Sequence, residues 1–186
     1  LILLIVAILA FGGFRFENCV PKEILPAPYA AAVESSVRES LSGGVLAGYP
    51  IVDVAIALVD ATFDEAMASE PVFHRATAMA LNKAMHDARP ILLEPIMRVE
   101  VVAPEENTGD VIGDLSARRG EIQGMTPVPG GFQAIRGHVP LSEMFGYATD
   151  LRSATQGRGA FTMEFEHYAP VPQEVSTRIL GGPYQG

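Results

Sequence analysis

A strand–helix pattern that occurs twice, about 36 residues apart, limits this chain more than any other feature of its sequence. The later copy runs from Val139 to Tyr168, VPLSEMFGYATDLRSATQGRGAFTMEFEHY. Pro140 suits the first turn of a helix, where its missing N–H costs no intrahelical bond. Leu141, Met144, Phe145, Ala148 and Leu151 follow at three- and four-residue intervals, which predicts one apolar stripe. Gly157 and Gly159 supply a stop. Phe161, Met163 and Phe165 then alternate with Thr162, Glu164 and Glu166, as in a strand with one buried face. In the earlier copy Met97, Val99 and Val101 alternate with Arg98 and Glu100, Pro104 opens a helical pattern and Gly120 closes it. Pro104 and Pro140, Asp114 and Asp150, and Leu115 and Leu151 keep the same spacing.

Two strand–helix–strand units this close together predict a ferredoxin-like domain, the split βαβ arrangement with order βαββαβ. At 186 residues the chain has room for one large domain or two small ones. A 48% hydrophobic and 19% charged composition describes a globular chain able to bury a core. The single cysteine, Cys19, excludes an intramolecular disulfide and a thiolate zinc cluster, so a reducing, cytoplasmic setting is expected. The formal net charge of -9 excludes nucleic-acid binding by bulk attraction. Any RNA contact must be local, made by a few arginines or by shape.

The chain starts LILLIVAILA, which is too short to span a membrane; a spanning helix needs about 20 apolar residues. No positive segment precedes it, so a complete signal peptide is not expected, and a buried strand is the better reading. Gly12 and Gly13 break the run, and residues 14–17 alternate like a short strand. Val33, Val37 and Leu41 predict a helix ended by Gly43 and Gly44. Val52, Val54, Ile56 and Leu58 predict a strand, and a polar, hairpin-like loop from Asp60 to Pro71 leads to a second helix. Ser69 is its expected N-cap, with Phe73, Ala76, Ala80 and Ala84 on its packed face. The pattern changes near Leu93-Glu94-Pro95, so domains of 1–93 and 94–186 are expected.

The stretches PIMRVEVVAPEENTGDVIGDLSARRGEIQGM and VPLSEMFGYATDLRSATQGRGAFTMEFEHY closely resemble the last domain of translation elongation factor G. GVLAGYPIVDVAIALVD and ARPILLEPIM, ahead of them, resemble the domain that precedes it. The resemblance runs from about Phe14 to Pro172 and implies an α+β fold: a ribosomal protein S5 domain 2-like domain, with its left-handed βαβ crossover, then the ferredoxin-like one. It also implies the C-terminal portion of a ribosomal translocase, with the ribosome, its RNA and the transfer RNA region as partners. The expected molecule is a monomer that does not touch membranes. A ribosome-recycling or otherwise specialised paralogue is the alternative within the family. A small α+β binding module with no ribosomal role is the alternative outside it.

The sequence has neither a glycine-rich loop with GK[ST] nor a dinucleotide fingerprint; GDVIGD and QGRG lack the lysine. No cofactor or enzymatic centre is therefore expected in this chain, and the resemblance assigns GTP and magnesium to an N-terminal domain, so that the sequence reads as a C-terminal fragment or a truncated paralogue. The spacing of His74, His86, His138 and His167 fits no metal motif, and these are read as exposed or half-buried structural histidines. Asp64 and Glu65 could form an acid–base pair, although without a partnered histidine a solvated loop is the better reading. The resemblance makes this loop the tip that reaches the decoding centre. Where the family carries Tyr-His-Asp-Val-Asp, this chain has Phe63, Asp64, Glu65, Ala66 and Met67, so a carboxylate replaces the histidine. In the last domain, Arg118 and Arg119 close one helix, and Arg152, Gln156 and Arg158 surround the end of the other. Arginines there complement a helix dipole and equally match phosphate in a fork, and the residues leave both readings open. Phe161, Met163 and Phe165 have the spacing of a base-stacking sheet, but core packing is the preferred reading.

Overall fold

The computed structural model describes residues 2–9 and 13–181, with side chains from Gly13 onward. The chain divides into two compact units. Leu92–Pro172 forms one, and the residues up to Ile91 together with those from Gln173 onward form the other. The division thus falls two residues ahead of the expected boundary, and the C-terminal segment groups with the first unit.

The first unit holds β1 (Ile2–Leu9), β2 (Phe14–Asn18), α1 (Ala27–Ser42), β3 (Val54–Thr62) and α2 (Glu70–Asp87). β3 is the middle strand, antiparallel to β1 and parallel to β2, so α1 is the crossover between β2 and β3. The apolar run at the N-terminus forms a strand over Ile2–Leu9, while Leu1, Ala10 and the burial expected of the run lie outside what is described. Val54, Ile56 and Leu58 alternate into the core beneath Val33, Val37 and Leu41 of α1. Each such fully buried side chain contributes roughly 1.5–3 kcal/mol.

This unit departs from its sequence pattern at two places. Val52 is exposed and precedes the strand. Asp53 takes a positive φ of 55° there, and its carboxylate accepts the Gly13 N–H at 2.8 Å. On α2 the buried residues are Phe73, Thr77, Leu81 and Met85, so the packed face is rotated by about one residue from the expected one. Ala80 and Ala84 flank it because larger side chains take the central positions. Thr77 is tolerated inside because its hydroxyl donates to the Phe73 carbonyl at 2.8 Å.

The second unit runs β4 (Leu93–Pro104), α3 (Thr108–Ala117), β5 (Glu121–Val128), β6 (Phe132–Pro140), α4 (Tyr147–Ala154) and β7 (Ala160–Pro170). Its sheet order is β5-β6-β4-β7, every pair antiparallel, which is the ferredoxin-like arrangement. Val99 and Val101 of β4 and Ile135 and Val139 of β6 meet Val111 and Leu115 of α3 and Tyr147 and Leu151 of α4. A further helix, α5 (Gln173–Leu180), follows.

The repeat is real, but its turn differs from the expected one. Pro104 and Pro140 each end a strand, and each is followed by a short 3-10 turn before the helix starts. α4 therefore begins at Tyr147, where Gly146 at φ 80° redirects the chain. Tyr147 fills the core, Phe145 is 80% exposed and Ala148 is exposed as well. The predicted stripe failed at these positions because a left-handed glycine resets the helical phase. β7 departs from expectation too. Of the three residues expected on its buried face, Phe161 alone is half-buried, packed edge-on to Tyr147 at 4.9 Å, whereas Met163 and Phe165 are 42% and 53% exposed on this edge strand.

Candidate functional site

The loop between β3 and α2 begins with an aromatic anchor. The Phe63 ring lies edge-on to Phe73 at 5.1 Å and to Tyr29 at 5.9 Å, and Tyr29 stacks on Phe73 at 4.6 Å. Its ring, one of the RNA-contact candidates, is thus engaged in packing the loop onto both helices. Beyond it, Asp64 caps the 3-10 turn Glu65–Met67 through its Oδ1, which accepts the Ala66 N–H at 2.9 Å. Glu65 is exposed, and Met67 is 74% exposed. Ser69 is the N-cap of α2 by backbone position, yet its hydroxyl makes no capping bond. From Asp60 to Glu70 the ionisable residues are all acidic: Asp60, Asp64, Glu65 and Glu70. What this loop presents is a hydrogen-bonded acidic turn with one thioether at its surface.

The arginines of the second unit divide into two kinds. Arg118 is only 15% exposed and is held by groups of its own domain. Its Nε donates to both Asp114 oxygens at 3.1 Å, one terminal nitrogen donates to the Glu143 carbonyl at 2.6 Å, and the other pairs with Asp150. The guanidinium also lies over the Tyr147 ring, 5.2 Å from its centre. Arg119 forks onto Glu94 at 2.7 and 2.8 Å and reaches Glu143 at 2.9 Å. The bond to Glu94 raises its pKa; burial opposes the rise and Glu143 adds to it, so it stays charged. Both arginines hold α3 to the 3-10 turn before α4 or to β4, and most of their donors are already engaged by groups of their own domain. Arg158 pairs with Glu106 at the surface. Arg152 and Gln156 are exposed, and the Arg152 guanidinium has no hydrogen bond or ion pair among the described residues.

Sequence reasoning missed the partners Glu94, Glu143 and Asp150, which only the tertiary fold brings near. The Asp114–Arg118 pair was findable, since residues four apart share a helix face. Burial is also what raises the Tyr147 pKa, with the nearby Asp114 charge adding to it and Arg118 opposing it. Elsewhere, a groove of about 480 Å3 between α1 and α2 is lined by Pro28, Ala31, Ala32, Ser35, Glu70, Pro71 and His74. Beside it His74 Nε2 lies 2.9 Å from Glu39, an exposed contact that ties the two helices.

Fold and surface define an α+β protein with an S5 domain 2-like unit ahead of a ferredoxin-like one, carrying exposed arginine and acidic-turn surfaces. Residues 8–89 match the family described as Elongation factor G, domain IV, and residues 91–179 the family described as Elongation factor G C-terminus. The chain belongs to the elongation factor G family of translation factors, as these two consecutive parts of it. A crystal structure of a protein from Thermus thermophilus is similar to it, with 38% sequence identity and a TM-score of 0.82. That match covers 94% of this chain and 26% of the other, so the chain spans about a quarter of the protein it resembles. Among the described residues, no helix is long and apolar enough to cross a membrane.

Proposed function

We propose that this chain is the ribosome-contacting part of an elongation factor G-like translocase, acting in the cytoplasm as a monomer. The first unit enters the decoding region with its 63–69 loop beside transfer and messenger RNA. The second contacts large-subunit RNA through Arg152, Gln156 and Arg158. The observation that carries this reading is the match to two consecutive parts of one factor over nearly the whole chain. The chain's work is mechanical: it hydrolyses no GTP, because it has no phosphate loop, and GTP with magnesium belongs to another domain of the factor. Co-sedimentation of the chain with ribosomes tests the proposal; a chain left wholly in the supernatant at low salt sinks it.

One observation favours a specialised or recycling paralogue over a general translocase. The loop has no basic residue, and Asp64 stands where the family pattern has a histidine, so its charge repels phosphate. Asp64→His in the full-length factor is expected to strengthen ribosome binding or speed single-turnover translocation, and more at low salt, since exposed charges are screened over about 8 Å at physiological ionic strength. The turn should survive without its Asp cap because Phe63 anchors it. Identical rates for wild type, Asp64→His and Asp64→Asn at two salt concentrations would mean that the loop does not touch RNA.

A further inference from the structure

We propose that His138 and His167 form a two-histidine site for a late first-row divalent cation, such as zinc or nickel, on the face of the second unit's sheet opposite α3 and α4. The two residues are far apart in sequence, and their spacing fits no metal motif; strand register alone brings them together. His138 on β6 pairs with Arg98 of β4, and His167 on β7 pairs with Ile96, two residues along the same strand. The bulge in β7 is what makes this possible. Glu164 pairs with Arg98 and Phe165 with Met97, and Glu166 is then the extra residue before His167 pairs with Ile96. Strict alternation would have put His167 on the same face as Phe165; the inserted residue turns it to the face of Arg98 and Glu164. Bulges re-aim side chains in this way, often next to functional sites.

The imidazoles meet above β4 with ring centres 5.9 Å apart and planes at 84°. An imidazole nitrogen binds zinc at about 2.1 Å, so two rings sharing one ion have centres about 5–6 Å apart. In the proposed site the rings turn their nitrogens toward a common point by side-chain rotation. The charges facing them also suit a cation. Arg98 of β4 is held by Glu164 at 2.7 Å and Glu166 at 3.3 Å, both from β7. Glu121 of β5 pairs directly with His138, and Arg136 of β6 is matched by Glu100 of β4. Four carboxylates thus accompany two guanidiniums around the pair.

Among the described residues no third histidine, cysteine or carboxylate completes a ligand set. Water fills the remaining positions, which makes the ion exchangeable and the affinity micromolar instead of that of a structural zinc centre. Imidazole favours zinc, nickel and copper over magnesium and calcium. A bound ion would brace β6 to β7 across β4. None of this depends on the ribosomal reading.

The test is calorimetric titration of the untagged full chain with nickel chloride or zinc chloride. One ion per chain is expected, with His138→Gln and His167→Gln each weakening binding at least about tenfold and His74→Gln leaving it unchanged. Equal binding by wild type and both variants overturns the proposal, as does the absence of binding. Nickel-induced broadening of histidine ring signals in the unmodified protein decides the matter without substitution. The signals of His138 and His167 should broaden first, and earlier broadening of His74 or His86 would overturn the site.

Discussion

Helices α3 and α4 end alike and are then put to different uses. Each closes with a residue in the left-handed region, Arg119 at φ 61° and Gln156 at φ 53°, followed by a glycine. The Gly120 N–H returns to the Leu115 carbonyl and the Gly157 N–H to the Arg152 carbonyl, both at 2.8 Å. These are the same six-to-one closure, and in each a non-glycine bears the left-handed conformation. At the first end Arg118 and Arg119 turn inward and are consumed by carboxylates and carbonyls of their own domain. At the second Arg152 and Gln156 stay in solvent, and Thr155 does the internal bonding by donating to Leu151 and accepting from Gly159. Arginine at a helix end is therefore no evidence of an RNA surface until its donors have been counted.

Three substitutions test how far the two ends differ. Arg118→Ala should have the largest effect, since it leaves Asp114, Asp150 and the Glu143 carbonyl without their cation. A loss of about 2–4 kcal/mol is expected in urea unfolding, somewhat below the value for a fully buried pair because Arg118 keeps some exposure. A loss under about 0.5 kcal/mol would place Arg118 with ordinary surface residues and erase the contrast.

Tyr147→Phe should act more weakly and in a pH-dependent way. The buried hydroxyl has no hydrogen-bond partner among the described residues, so removing it should be neutral or slightly stabilising near pH 7. The folded protein holds the phenolic proton more tightly than the unfolded chain does. The stability this contributes is complete below the unfolded pKa of about 10 and is lost as pH rises toward the higher folded value. Melting curves between pH 8 and 11 (roughly the range spanning that pKa) should thus fall more gently for Tyr147→Phe than for wild type. Parallel curves would show that the phenol is not shielded as described.

Arg152→Ala should leave stability within about 0.5 kcal/mol and weaken ribosome co-sedimentation, with a shallower salt dependence. An unfolding midpoint that moved by as much as that of Arg118→Ala would make the second end structural like the first.

Much of the second unit could be read in advance because its strands obey a clean period of two, as at Val99 and Val101, and because the repeat doubles every signal. What could not be read was where periodicity is reset. Gly146 hid the start of α4 and exchanged the roles of Phe145 and Tyr147; the β7 bulge did the same for His167. Neither event has a local signature that separates it from an ordinary glycine or an ordinary strand. Phe63 illustrates the other limit. Its packing against Tyr29 and Phe73 depends on three elements converging, so a residue placed on a contact loop by resemblance was anchored beneath it by the fold. Within the candidate surface, residue types were legible and bonding states were not.

The register of β4 with β7 has a last consequence, for the chain's connectivity. Leu93 lies opposite Pro170, and the Val171 N–H donates to the Leu92 carbonyl at 2.9 Å, so the polypeptide enters and leaves the second unit at one point. Segments on either side of that point, up to Ile91 and from Gln173, group with the first unit. In genetic terms the ferredoxin-like unit is a cassette. A short bridge could join its two ends while new termini open in the Pro129–Gly131 turn, and the cost of re-closing the chain rises only with the logarithm of the loop length. The same geometry lets such a unit be gained, lost or moved between proteins without rebuilding the host around it.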